Sequence, residues 1–85
     1  MMCDNIKFMW KEQEGKLVKQ YKFKDFNQAL EFINRIGEIC ECENHHPEIY
    51  NVYNKVYLSF CTHDAGNSIT ELDYKLTQLI DAIEL

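Results

Sequence analysis

Very little in this chain bends or breaks its backbone: 85 residues include one proline and three glycines. That scarcity excludes a Pro- or Gly-rich linker, no low-complexity segment is visible, and the length makes one domain spanning residues 1–85. No apolar run approaches the roughly 20 residues of a membrane span. The opening MMCDNIKFMW mixes acidic and polar residues without a continuous apolar core, so it does not read as a secretory leader. The expected address is therefore cytoplasmic. Basic charge is also sparse, with 9 Lys and Arg against 14 Asp and Glu and a net charge of −5. The basic residues are spread out, mostly before residue 25, and mixed with acids. That distribution argues against nucleic acid as a partner, because a nucleic-acid binder concentrates Lys and Arg on one face.

Four cysteines are present, Cys3, Cys40, Cys42 and Cys61. None are paired at the gap of a zinc knuckle. Cys40 and Cys42 lie two apart on a predicted helix, where they point to different sides. Without a secretory leader disulfides are not expected, so all four are read as reduced thiols, with Cys40 and Cys61 filling the core. A hydrophobic content of 46% with 27% charged residues fits a soluble globular domain. A chain this short buries only about 60% of the surface its unfolded form exposes, so a partner chain would help it.

Periodicity divides the chain into six elements. In DFNQALEFINRIGEICECEN, from Asp25, the residues Phe26, Ala29, Leu30, Ile33, Ile36, Gly37 and Cys40 recur at helical spacing. Asp25 with Gln28 resembles a capping box, and the helix should fade between Cys42 and Asn44. A second helix starts at Thr70-Glu71-Leu72-Asp73, with Ile69 placed to staple onto the next turn, and buries Leu72, Leu76, Leu79, Ile80 and Ile83. Val56 to Thr62 alternates as a strand with Val56, Leu58 and Phe60 on the core face. Ile49 to Tyr53 reads as its hairpin partner across an Asn54-Lys55 turn. Ile6 to Trp10 and Leu17 to Phe23 read as an earlier hairpin with Glu14-Gly15 in its turn. The order β-β-α-β-β-α predicts an α+β two-layer sandwich, an antiparallel four-stranded sheet with helices packed on one face.

The stretch Glu43-Asn44-His45-His46-Pro47-Glu48 holds two of the three histidines and the only proline. The third, His63, ends the last strand, and a turn at Asn54-Lys55 would set His46 opposite His63. Three readings follow: a zinc site, a proton-transfer site, or a polar surface turn. Adjacent residues of an extended segment face opposite ways, which makes it hard for His45 and His46 to share one ion. Proton transfer suits them better, because an imidazole with an unperturbed pKa of about 6.5 both accepts and donates near neutral pH. Glu41, four residues before His45, could orient a ring or bind a polar substrate edge, or be a solvated helix-end carboxylate. Pro47 biases His46 toward an extended backbone, which either pre-orders a catalytic ring or simply ends a helix.

Glu41-x-x-x-His45-His46-Pro47, then Tyr53, His63 and Asp73, resembles the signature of the pterin-4a-carbinolamine dehydratases. Phe23-Lys24-Asp25-Phe26, Asn51 to Val56 and Thr62-His63-Asp64 agree with it, and the likeness runs from about Trp10 to Ile83. The resemblance implies a hydro-lyase that removes water from 4a-hydroxytetrahydropterin, giving quinonoid dihydropterin in tetrahydrobiopterin recycling. It implies His45, His46 and His63 as the catalytic histidines, with His45 and His63 as the acid–base pair and His46 holding the pterin. The substrate-binding set it implies is Glu41, His45, His46, Pro47, Thr62, His63, Asp64 and Ala65. It implies no metal and no cofactor, and a homodimer or homotetramer. Some animal members of the family also serve as dimerisation cofactors of a homeodomain transcription factor through a helical surface, the alternative function. The sequence departs from the pattern in two places: the His63–Asp73 stretch is about one residue longer, at Gly66-Asn67-Ser68, and Ile49-Tyr50 replaces a bulky aromatic after Pro-Glu.

Overall fold

The computed structural model describes residues 10–85, with the side chain of Asp64 left aside. The elements are β1 (Lys11–Gln13), β2 (Lys16–Lys22), α1 (Phe26–Glu43), β3 (Glu48–Val52), β4 (Lys55–Phe60), a short 3-10 turn (His63–Ala65) and α2 (Glu71–Asp81). They form the predicted α+β sandwich, one antiparallel sheet in the order β1-β2-β4-β3 with both helices against one face. The strand predicted over Ile6 to Trp10 lies, apart from Trp10, outside the described residues. The hairpin partner of β2 is Lys11–Gln13. Glu14 and Gly15 both have positive φ, 53° and 79°, the combination a tight two-residue hairpin turn requires.

Alternation along β4 sorts the two faces as expected. Val56, Leu58 and Phe60 are buried against the helices together with Leu17 and Tyr21 of β2. The second hairpin turns one residue earlier than predicted. Val52 pairs with Lys55, so the tight turn is Tyr53-Asn54, with Tyr53 at φ 51°. Moving the turn by one residue moves every pairing by two, and a two-residue shift keeps each side chain on its face. The hydrophobic pattern therefore could not distinguish the two registers. Extended past Glu48–Ser59, the true register carries His46 toward Cys61 rather than His63.

α1 begins as the sequence predicted. Asp25 accepts from the Gln28 amide at 2.9 Å, while the Gln28 side chain reaches back one residue further, accepting from the Lys24 amide at 3.0 Å. Its buried line is Ala29, Phe32, Ile36 and Cys40. Phe26 and Leu30, predicted as core, are 43% and 40% exposed. The apolar stripe is wider than the surface the sheet and α2 can cover, and its Phe26–Leu30 flank falls outside. In α2 the buried line is Asp73, Leu76, Thr77 and Ile80, and Leu79 is rotated outward. Cys40 and Cys61 are buried free thiols, and burial, with the Glu41 charge adding to it, pushes the Cys40 thiol up to about 11.

The far end of the sandwich closes on Asp81. Its carboxylate accepts from the Trp10 indole, from the Tyr21 hydroxyl and from Lys19 Nζ at 2.8 Å. Burial first, then the hydrogen bond and charge of Asp81, push the Tyr21 phenol well above its usual range. No helix among the described residues is long and apolar enough to cross a membrane.

Candidate functional site

The way α1 stops decides where the first histidine goes. Asn44 adopts the left-handed conformation at φ 54°, which asparagine tolerates better than most residues. Its amide donates to the Glu41 carbonyl and the His45 amide donates to Cys40, a two-bond closure of the helix end. The chain then leaves the helix axis with His45 turned inward, and Pro47 carries it into β3 within three residues.

His45 is 9% exposed, with its ring lying over Phe60 at 6.0 Å between centroids. Its Nε2 meets Asp73 Oδ1 at 2.6 Å. Asp73 is fully buried at the third position of α2. Its other oxygen, Oδ2, accepts from the Thr70 amide at 2.9 Å and from the Thr62 hydroxyl at 2.7 Å. Three elements thus converge on one carboxylate: the end of α1 through His45, the end of β4 through Thr62, and the start of α2 through Thr70. Burial alone would raise the Asp73 carboxyl, but the hydrogen bonds from His45, Thr70 and Thr62, with the His45 charge, outweigh it and hold the group below its ordinary value. An ionised carboxylate only accepts, so His45 Nε2 carries the shared proton. Among the described residues Nδ1 makes no hydrogen bond.

The other two rings are exposed. His46 turns away from His45 and its Nε2 meets Glu41 Oε2 at 2.9 Å, so Glu41 steadies the second histidine. His63 opens the 3-10 turn directly after Thr62, and its Nδ1 meets Asn67 Oδ1 at 2.6 Å. The turn is held by Ala65, whose amide donates to the Thr62 carbonyl and whose carbonyl accepts from the Ser68 hydroxyl. The His63 charge reaches Glu48, the residue after Pro47, and adds to the lowering of its carboxyl that Lys16 chiefly causes. Among the described residues no hydrogen bond joins two of the rings, and no three His, Cys, Asp or Glu side chains gather around a common point for a metal.

The profile of the family described as pterin 4 alpha carbinolamine dehydratase matches residues 4–83. This chain belongs to that family. A pterin dehydratase relative from Prochlorococcus marinus, named provisionally, is 51% identical over 75 residues, 88% of this chain and 77% of its own. One from Metallosphaera sedula, named with the same reserve, is 39% identical over the same shares. Among solved structures, the transcriptional coactivator/pterin dehydratase from Brucella melitensis superposes with a TM-score of 0.79 at 30% identity, covering 95% of this chain and 89% of that one. A pterin dehydratase-like protein identified as a RuBisCO assembly factor in the alpha-carboxysome shares the fold, with a TM-score of 0.74 at 21% identity over 86% of each chain.

Within this dehydratase fold two residues emerge that the sequence did not mark as site members. Asp73 is legible in the sequence as a cap and as a signature position, but not as the buried partner of His45. The available signal was an acid in line with Leu76 and Ile80, on the apolar face of its helix. Asn67 sits in the lengthened loop, and no pattern pointed to it.

Proposed function

We propose that this chain is a hydro-lyase that dehydrates 4a-hydroxytetrahydropterin to quinonoid dihydropterin, in cytoplasmic tetrahydrobiopterin recycling. The observation that carries this reading is His45 Nε2 seated on the buried Asp73 carboxylate at 2.6 Å. That seating leaves Nδ1 as the nitrogen able to take a proton. The imidazolium that results lies against a fixed negative charge, which stabilises it.

In the reaction N5 loses its proton, the 4a-hydroxyl gains one and leaves as water, the C4a–O bond breaks and a C4a=N5 double bond forms. His45 is the base through Nδ1. His63, anchored through its Nδ1 on Asn67, presents Nε2 as the acid toward the departing hydroxyl. His46, braced by Glu41, and Pro47 hold one edge of the pterin, and the Thr62–Ala65 segment, Asp64 included, lines the other. No metal and no redox cofactor enters this scheme. The exposed Phe26–Leu30 flank of α1 supports assembly of the enzyme as a homodimer or homotetramer.

The test is turnover. Purified protein should accelerate loss of 4a-hydroxytetrahydropterin, and His45→Ala and His63→Ala should each remove most of that gain. A positioned acid–base group is commonly worth about 10²–10⁴-fold, which bounds the loss. Equal rates for the native chain and both variants would refute the proposal.

A further inference from the structure

The sheet face turned away from the helices carries a charge opposite to that of the chain as a whole. The register makes it a grid of outward side chains. One row is Lys11–Val18–Ser59–Glu48, the next is Gln20–Tyr57–Tyr50, and the third is Lys22–Lys55–Val52, with Lys16 beyond the first. Four lysines thus share a face with one acid, Glu48, which pairs with Lys16 at 3.0 Å. Lys11, Lys22 and Lys55 have no ion-pair partner among the described residues. Lys22 and Lys55 stand directly opposite each other in the ladder, where like charges destabilise a sheet. Over the first two rows lies a shallow groove of about 690 Å³ whose walls include Lys11, Val18, Tyr50 and Tyr57, and the Lys22–Lys55 row stands just beyond it. The two tyrosine rings are 5.5 Å apart and Tyr50 is 65% exposed.

We propose that this face docks an extended acidic segment of a partner protein, with the pattern acid–x–apolar–x–acid. The spacing follows from the grid. The three rows lie at positions i, i+2 and i+4 of β2, so the lysine rows are roughly 13 Å apart at about 3.3 Å per residue. An extended segment presents its own i, i+2 and i+4 side chains on one side over the same span. One carboxylate meets Lys11, the other meets the Lys22–Lys55 pair and relieves its repulsion, and the apolar side chain rests on the tyrosines. A second copy of this chain is a poor occupant, because it would set lysines against lysines. A nucleic acid is disfavoured by the net charge of −5 around a patch of only four lysines. This surface adjoins the histidine site at Glu48 but contains none of its proposed residues, and it does not depend on the dehydratase reading.

The experiment is fluorescence anisotropy with the full chain and a fluorescein-labelled heptapeptide, Gly-Glu-Ser-Phe-Ser-Glu-Gly. The expected result is saturable binding that weakens about tenfold between low and high salt, as screening of exposed charges requires. Both glutamates changed to glutamine should abolish it. The double variant Lys22→Glu/Lys55→Glu should bind at least about tenfold more weakly, the worth of one lost charge contact, while pterin turnover stays at the native level. Lys22→Ala, which removes the repulsion, should lose affinity while melting at or above the native temperature, so lost binding is not lost folding. No binding of the acidic peptide, equal binding of its glutamine version, equal binding by the charge-reversed variant, or tighter binding of an oligo-dT of twelve nucleotides would each overturn the proposal.

Discussion

Asp73 is a charged side chain on the one line of α2 that solvent does not reach, and three donors, His45, the Thr62 hydroxyl and the Thr70 amide, make that position tolerable. The carboxylate does two things at once. It caps α2 through the Thr70 amide, where the helix dipole also favours a negative charge, and it sets which nitrogen of His45 is free. Asp73→Asn keeps the shape but places an amide that can donate where only acceptance is wanted. Turnover should fall toward that of His45→Ala with its pH profile altered, and stability should drop by about 1–3 kcal/mol for the disturbed buried bonds. The folded-state carboxyl lies below its ordinary value, so its contribution is present above about pH 4 and is lost as pH falls through the lowered value. Acid denaturation of the native chain should therefore lose a component that the variant lacks, measured by circular dichroism against pH. A variant whose turnover, pH profile and acid denaturation all match the native chain's would remove Asp73 from the site. His46 and Glu41, both exposed, form a pair worth little to folding, so any cost of changing them should appear in turnover alone.

Among the elements, the second hairpin bears a local cost. Tyr53 has φ 51°, a conformation that bulky residues adopt only under compulsion, and the residue is 62% exposed, so packing offers little in return. Asn51 holds the turn from inside, its amide donating to the Lys55 carbonyl at 2.8 Å. Tyr53→Gly should relieve the strain and raise stability by about 1 kcal/mol, read as a higher melting temperature. A lower melting temperature would mean that the ring is held by something other than its own chain. This hairpin is also where sequence reasoning chose the wrong turn. Asn54-Lys55 has better turn chemistry than Tyr53-Asn54, and the hydrophobic alternation is blind to a two-residue shift. The Asn54 side chain settles the choice by donating to the Phe23 carbonyl at 2.7 Å, a contact 31 residues away in the chain. The starts of α1 and α2, by contrast, were readable because their capping residues act within four positions of themselves, whereas α2 stops at Asp81, short of the Ile83 expected in it.

For the molecule as a whole, one sheet and two helices leave two surfaces of opposite character. The α1 flank with Phe26 and Leu30 is apolar, and the open sheet face is basic and aromatic. A small domain gains most from covering the first of these. Light scattering on the native chain should give the mass of two or four copies, and Phe26→Glu/Leu30→Glu should give a single folded copy. A native chain that is already monomeric would remove the assembly altogether, and a double variant that stays assembled would place the interface elsewhere.

Element types and their order were determined by the sequence itself. Hydrophobic period, caps and turn residues act over a few positions, and a short window contains all the information they need. Tertiary structure decided three other things. It brought Asp73 beneath His45 across 28 residues, it set the hairpin register, and it gathered four lysines that look scattered in the chain onto one side of the sheet. Each depends on which strand edges and helix ends meet, and that is settled by the packing of the whole core rather than by any local preference.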